Sequence, residues 1–255
     1  MPPFSGYSNS IPSLTRVQLL SLLAEDLQAF STDQLRSLDT VQLSYLSSVQ
    51  LNYLSTVQMV SLLTSQVRGL TTLQVGALTS VNLNALGTSQ FQALTTLQVA
   101  ALKASQVASL ETADLLSLGS VQLRALGTAG IAALRSEQVM ALSAEKFASL
   151  TTGQIAALTT SSLALLGSEK LAMLTTLQVG GLKTQQLLGL SSESLNALTT
   201  EQFAALKVTQ LPSLTSGQLL SLERADLQAL STVQIGALSS VQLNYLSTVQ
   251  MVSLL

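Results

Sequence analysis

Ser143 and Lys146 bracket the tetrad Ser143-Ala-Glu-Lys146, the spacing at which a lysine serves a serine nucleophile in β-lactamase-like enzymes. That chemistry also calls for S-D-N and K-T-G partners, and the chain has neither. It has no histidine, so its many serines cannot join a Ser-His-Asp relay. It has no cysteine, which removes thiol nucleophiles, disulfides and Cys-based zinc sites and leaves the redox compartment unread. The 13 acidic residues include Asp114, Glu137, Glu145, Glu193, Glu201 and Asp226. A calcium ladder needs several oxygens at fixed places in every repeat, and most repeats here carry no carboxylate. An acid in the first turn of a helix, favoured by the macrodipole, accounts for them. The 11 basic residues, among them Lys103, Arg124, Arg135, Lys183 and Lys207, are scattered instead of aligned, and net charge is -2. That balance leaves no electrostatic footprint for nucleic acid or anionic membrane. No catalytic, cofactor-binding or metal-ligating residue emerges; the expectation is a non-enzyme without a cofactor.

The elements that would position any of these groups are eight residues long. Residues 71 to 110 read TTLQVGAL TSVNLNAL GTSQFQAL TTLQVAAL KASQVASL, and the phrase runs without insertion or deletion from Thr15 to Leu254. With its positions lettered a to h, h is Leu at every site from Leu14 except Phe30, and e is always large and apolar from Leu19 to Met251. Position d is usually Gln, b is usually Ser or Thr, and g is usually small. Two apolar columns held in register this long identify a tandem repeat.

A period of eight selects the fold. On one continuous helix, eight residues overshoot two turns by about 80°, so the Leu stripe would wind around the axis. Keeping a coiled-coil seam would require about 4.0 residues per turn, which strains the helix. A β-solenoid is the alternative, since an even period keeps strand faces in phase, yet e and h are three apart and a strand points them to opposite faces. On a helix, residues i and i+3 share a face. The expectation is therefore an all-α solenoid of about 30 short capped helices, one per octad. Ser or Thr at a with Gln at d forms a capping box, as in Thr71 with Gln74, Thr95 with Gln98 and Thr151 with Gln154. Because Ser or Thr also dominates b, the cap could slide by one residue. Where a is glycine (Gly87, Gly119, Gly127, Gly167), a left-handed residue ending the previous helix is expected. Pro212 at f should kink or shorten its helix. Helices this short are unstable alone and need stacked neighbours.

Two segments follow from the register. Residues 1–13 (MPPFSGYSNSIPS) lie outside it and read as an irregular lead-in or cap; residues 14–255 read as one continuous repeat solenoid. The head has neither a basic nor an apolar stretch of a signal peptide, and no apolar run reaches the length of a membrane span. The segment SSVQLNYLSTVQMVSLL at 47–63 recurs unchanged at 239–255, and the chain stops just inside a new octad. Both features suggest a segment of a longer array, or an end capped by another molecule.

Contact surfaces are the remaining function. Tyr45, Tyr53 and Tyr245 occupy g, where they either protrude for self-association or fill gaps between coils. The variable f position (Arg68, Asn84, Gln92, Arg124, Met140, Asn196) is the expected recognition face of a binding scaffold. Ser/Thr ladders at a and b could bind ice, sugar or a sister filament, although capping explains them.

With LTTLQVAAL at 94–102 and LTTGQIAAL at 150–158 in view, residues 14–255 resemble the octapeptide-repeat segments of long bacterial exoproteins and adhesin-like surface proteins. The resemblance implies an extracellular or cell-surface setting and a structural or adhesive role. The leading expectation is a filament, sheath, fibre or adhesin stalk whose partner is itself. The alternative is a scaffold recognising protein, glycan or ice through one face.

Overall fold

The computed structural model describes residues 11–254. Among them are 29 α-helices of four to six residues and no strand, so the all-α expectation holds and the β-solenoid does not. The chain divides into two compact units, Met1–Ala133 and Leu134–Leu255, and the octad phase runs through that boundary unbroken. Each unit by itself is a solenoid of short helices.

Every α-helix begins at b, directly after position a. Thr95 shows the full box: its hydroxyl accepts the Gln98 N–H at 3.2 Å, and Gln98 Oε1 accepts the Thr95 N–H at 2.7 Å. The cap does not slide to b. Where a has no hydroxyl, a glutamine at d keeps its half, as Gln90 Oε1 does for the Gly87 N–H at 2.7 Å. The helix closes when the N–H of e reaches the carbonyl of a and that of h reaches the carbonyl of e, as in Leu83 to Thr79 and Leu86 to Leu83. In the six-residue helices, Leu at h then leaves in extended geometry, as Leu78 does at φ -57 and ψ 137. The turn is made by the extended pair h and a, so no left-handed residue is needed. Gly87, Gly119 and Gly167 are N-caps with φ of -81, -73 and -70, and Gly127 is not left-handed either, which corrects the C-cap expectation. Pro212 has no N–H to donate to Val208, and its octad forms the 3-10 turn Leu211–Ser213 in place of an α-helix.

The e and h columns are the core. From Leu19 to Leu227 every e side chain is fully buried, and the h leucines stand at its rim. In the last octads Ile235 and Leu243 are partly covered and Met251 is exposed.

Coil geometry comes from which octads touch. Helices three octads apart pack together, as Ala104–Ser109 does on Thr128–Ala133 and Thr176–Gly180 on Thr200–Ala204. Glutamine reaches four octads back: Gln98 Nε2 donates to the carbonyls of Val67 at 2.9 Å and Leu70 at 2.7 Å. One coil therefore holds between three and four octads. The same rung repeats at Gln50, Gln58, Gln66, Gln74, Gln186 and Gln218, always onto e and h. Short helices leave their last carbonyls without partners, and the glutamine of the next coil satisfies them. Most of the d column is accordingly buried, which is rare for Gln outside a paired site.

Candidate functional site

Two further registers decide which side chains are free. Polar residues at f donate to the g carbonyl of the octad three further on: Arg36 Nε to Ser61 at 2.8 Å, Asn52 to Ala77, Asn84 to Ser109 and Asn196 to Ser221, each at 2.7 Å. Position f, expected as an open recognition face, is thus in part a stitch between coils. Position g lies against b of the octad three back. A Cβ on Gly69 would stand 2.6 Å from Thr40 Cβ, and one on Gly181 or Gly189 would collide with the methyl of Thr152 or Thr160. That contact explains why g is small.

The tyrosines at g obey this register. The Arg16 guanidinium, at b, stacks 5.4 Å over the Tyr45 ring. Tyr53 and Tyr245 fall opposite the small residues Ala24 and Ser216, and remain 37% and 43% exposed. Tyr45 and Tyr53 stand on successive octads, roughly a third of a coil apart, and Tyr245 belongs to the other unit.

The exposed apolar column is at c, a position that the sequence argument passes over. Val49, Leu73, Leu97 and Val121 are 60%, 80%, 72% and 60% exposed. They recur every three octads, on helices that pack in succession, and so form one apolar row along the first unit. In the second unit the same spacing carries Glu145, Glu169 and Glu193, all exposed.

The chemical candidates resolve into structural roles. Ser143 caps its helix, its hydroxyl accepting the Lys146 N–H at 3.2 Å. Glu137, Glu145, Glu193 and Glu201 are exposed at c, and Glu201 is held below its ordinary value by its own backbone N–H and the Thr199 hydroxyl. Asp26, Asp114 and Asp226 instead occupy d and are buried. Burial pushes the carboxyls of Asp114 and Asp226 up to about 6, assisted by the negative charges of Glu111 and Glu223. Lys170, also at d, donates to the Met140 carbonyl, and burial lowers its ammonium, with Glu169 opposing. Among the described residues, no three Asp or Glu side chains are grouped to hold a metal ion.

Two clefts open between coils, of about 390 and 360 Å³. One is lined by Ser48, Thr72, Leu73, Gly76 and Lys103, the other by Thr152, Thr176, Leu177, Gly180 and Lys207, which are the same octad positions 104 residues later. Each depends on glycine at f, because a Cβ on Gly76 or Gly180 would stand 2.7 or 3.0 Å from the carbonyl of Ala101 or Ala205.

Among the described residues no helix is long and apolar enough to cross a membrane. No curated protein matches the chain. The ALTTAQ repeat matches it four times, over residues 22–56, 107–144, 179–216 and 219–254, and these segments cover more than half of the 255 residues. The chain belongs to the ALTTAQ repeat family.

Proposed function

We propose that the protein is a structural element that associates with copies of itself, extending a filament, sheath or fibre. The observation that carries this reading is the apolar row Val49, Leu73, Leu97 and Val121, four exposed aliphatic side chains in line on packed helices. Scattered surface apolars need no explanation, but a contiguous patch marks a contact surface. The row is also held rigidly, since each c residue sits in the first turn of a capped helix tied to its neighbours by the d rungs. A second copy offering its own row would bury both without rearrangement. Such a role belongs at a cell surface or outside the cell, as in an adhesin stalk. Electron microscopy of the purified chain over a concentration series tests it. Regular fibres or sheets are expected; isolated short particles at every concentration would overturn the reading.

The paired clefts favour a second reading, a binding scaffold. Each presents two hydroxyls, one leucine and one lysine in the same arrangement. A ligand that used them would bind twice per chain, and calorimetry against protein or glycan candidates would return that stoichiometry.

A further inference from the structure

The rung at d is built for a side chain that both accepts and donates, and at Asp114 and Asp226 it lacks the donor. Both carboxyls are buried, 4% and 5% exposed. Rungs on either side fix what they meet. Around Asp114, Gln106 donates to the carbonyls of Val75 and Leu78 and Gln122 to those of Phe91 and Leu94. Around Asp226, Gln218 donates to those of Leu187 and Leu190 and Gln234 to those of Ala204 and Leu206. The same register sets the Leu195 and Leu198 carbonyls before Asp226, and the Leu83 and Leu86 carbonyls before Asp114. Position f of those target octads is Asn196 and Asn84, whose Oδ1 atoms are buried without a hydrogen-bond partner. By register each site therefore sets a carboxyl before two main-chain carbonyls, with an unpaired Asn Oδ1 on the same target octad. Asn82 shows that the reach is sufficient: as short as Asp, it donates to the carbonyls of Asn52 and Leu54 at 3.3 and 3.2 Å. The constellation occurs twice, Asn84-Glu111-Asp114 and Asn196-Glu223-Asp226, 112 residues apart.

We propose that Asp114 and Asp226 are proton-operated rungs of the coil. A carboxyl that takes a proton from solvent presents one C=O acceptor and one O–H donor, the same pair of functions as a glutamine amide. When the proton returns to solvent, the carboxylate is acceptor-only, faces the carbonyls in repulsion, and the rung opens. The pKa of each group, raised to about 6 by burial and then by the neighbouring Glu, puts this change in the mildly acidic range. The surrounding charges do not supply a substitute donor. Around Asp226 they are Glu223 and Arg224 on its own octad, Glu201 on the helix packed against it, and Glu193 four octads back, all exposed. Around Asp114, within its unit, Glu111 is the charge on its own octad, and neither the packed helix Thr88–Ala93 nor octad 79–86 carries one. Acidification thus tightens the solenoid at two places and neutral pH loosens them.

The test uses the full chain and two readouts. Carbon-13 carboxyl titration by NMR should give two aspartates with midpoints near 6, well above the ordinary value of about 3.9. Urea midpoints should fall between about pH 4.5 and about pH 7.5 in the wild type, and the fall should vanish in the double variant Asp114→Asn with Asp226→Asn. Ordinary aspartate midpoints throughout, or a double variant with an undiminished fall, overturns the proposal. So does recovery of the acidic midpoint at about pH 7.5 on adding calcium, since the missing partner would then be a cation. Should the double variant not fold, the titration of the unmodified protein decides alone.

Discussion

Gln98 stands 28 residues from Leu70 in the chain and 2.7 Å from its carbonyl oxygen. The same amide caps its own helix, so a single side chain serves the start of one helix and the end of another. Replacing it with leucine keeps the volume and leaves the Thr95 N–H and the Leu70 carbonyl unpaired in a buried place. The expected cost is about 2–4 kcal/mol, read from urea unfolding of the variant. Gln98→Glu should be worse at neutral pH, where the carboxylate has no donor, and should recover part of the loss on acidification. A leucine variant as stable as the wild type would mean that the rung contributes nothing.

Gly181 and Thr152 make a size pair between coils, since a Cβ on the glycine would collide with the threonine methyl. Gly181→Ala should therefore destabilise by about 1–3 kcal/mol, as overpacking does. Thr152→Ser removes the methyl and keeps the hydroxyl. The double variant should recover most of the loss, and thermal unfolding of the four-member cycle measures that coupling.

Half of this construction is legible in the octad. The e and h columns announce helices with one buried face, and Ser or Thr at a with Gln at d announces the caps, because those partners lie three residues apart. The contacts that assemble coils lie at other distances. Gln98 meets Leu70 at 28 residues, Asn84 meets Ser109 at 25, and Gly181 meets Thr152 at 29. None of these is a multiple of eight, so a reading that follows the octad register passes over them. One trace was available: the large g residues Tyr53, Leu165, Met173 and Tyr245 each have Ala or Ser 29 positions upstream, whereas Gly69, Gly181 and Gly189 have Thr. The expected left-handed glycines failed for a local reason. Extended leucine at h and an extended residue at a already turn the chain. The role of c was hidden because exposed Val and Leu look like core in a hydrophobicity count.

Lys170 occupies a rung with a charged donor, and burial holds its ammonium below the ordinary value. A group whose folded pKa lies below its unfolded value disfavours folding while charged in both states. That penalty disappears as pH rises from the folded pKa towards 10.5. Lys170→Gln supplies the same donation without the charge. The variant should melt at a higher temperature than the wild type at neutral pH, and the difference should shrink on approach to about pH 10.5. Calorimetry across that range checks both the sign and its decay. A variant that melts lower throughout would show that the lysine stem, and not its charge, governs the site.

Leu73 and Leu97 stand 80% and 72% exposed on helices that pack against each other, and neither contributes to the buried columns. Substituting both with lysine places two ammonium groups in the apolar row. Folding should hardly respond, within about 0.5 kcal/mol, because surface changes away from caps and core rarely exceed that. Assembly should respond strongly, since a second copy bringing the same row would meet like charges with no counter-ion buried beside them. Sedimentation at rising protein concentration separates the two effects, and circular dichroism on the same samples confirms the fold. Assembly that persists unchanged in the folded double variant would move the contact surface off the c row. The next surface to test would then be the Glu145, Glu169 and Glu193 row, by the same measurement with glutamine at each position.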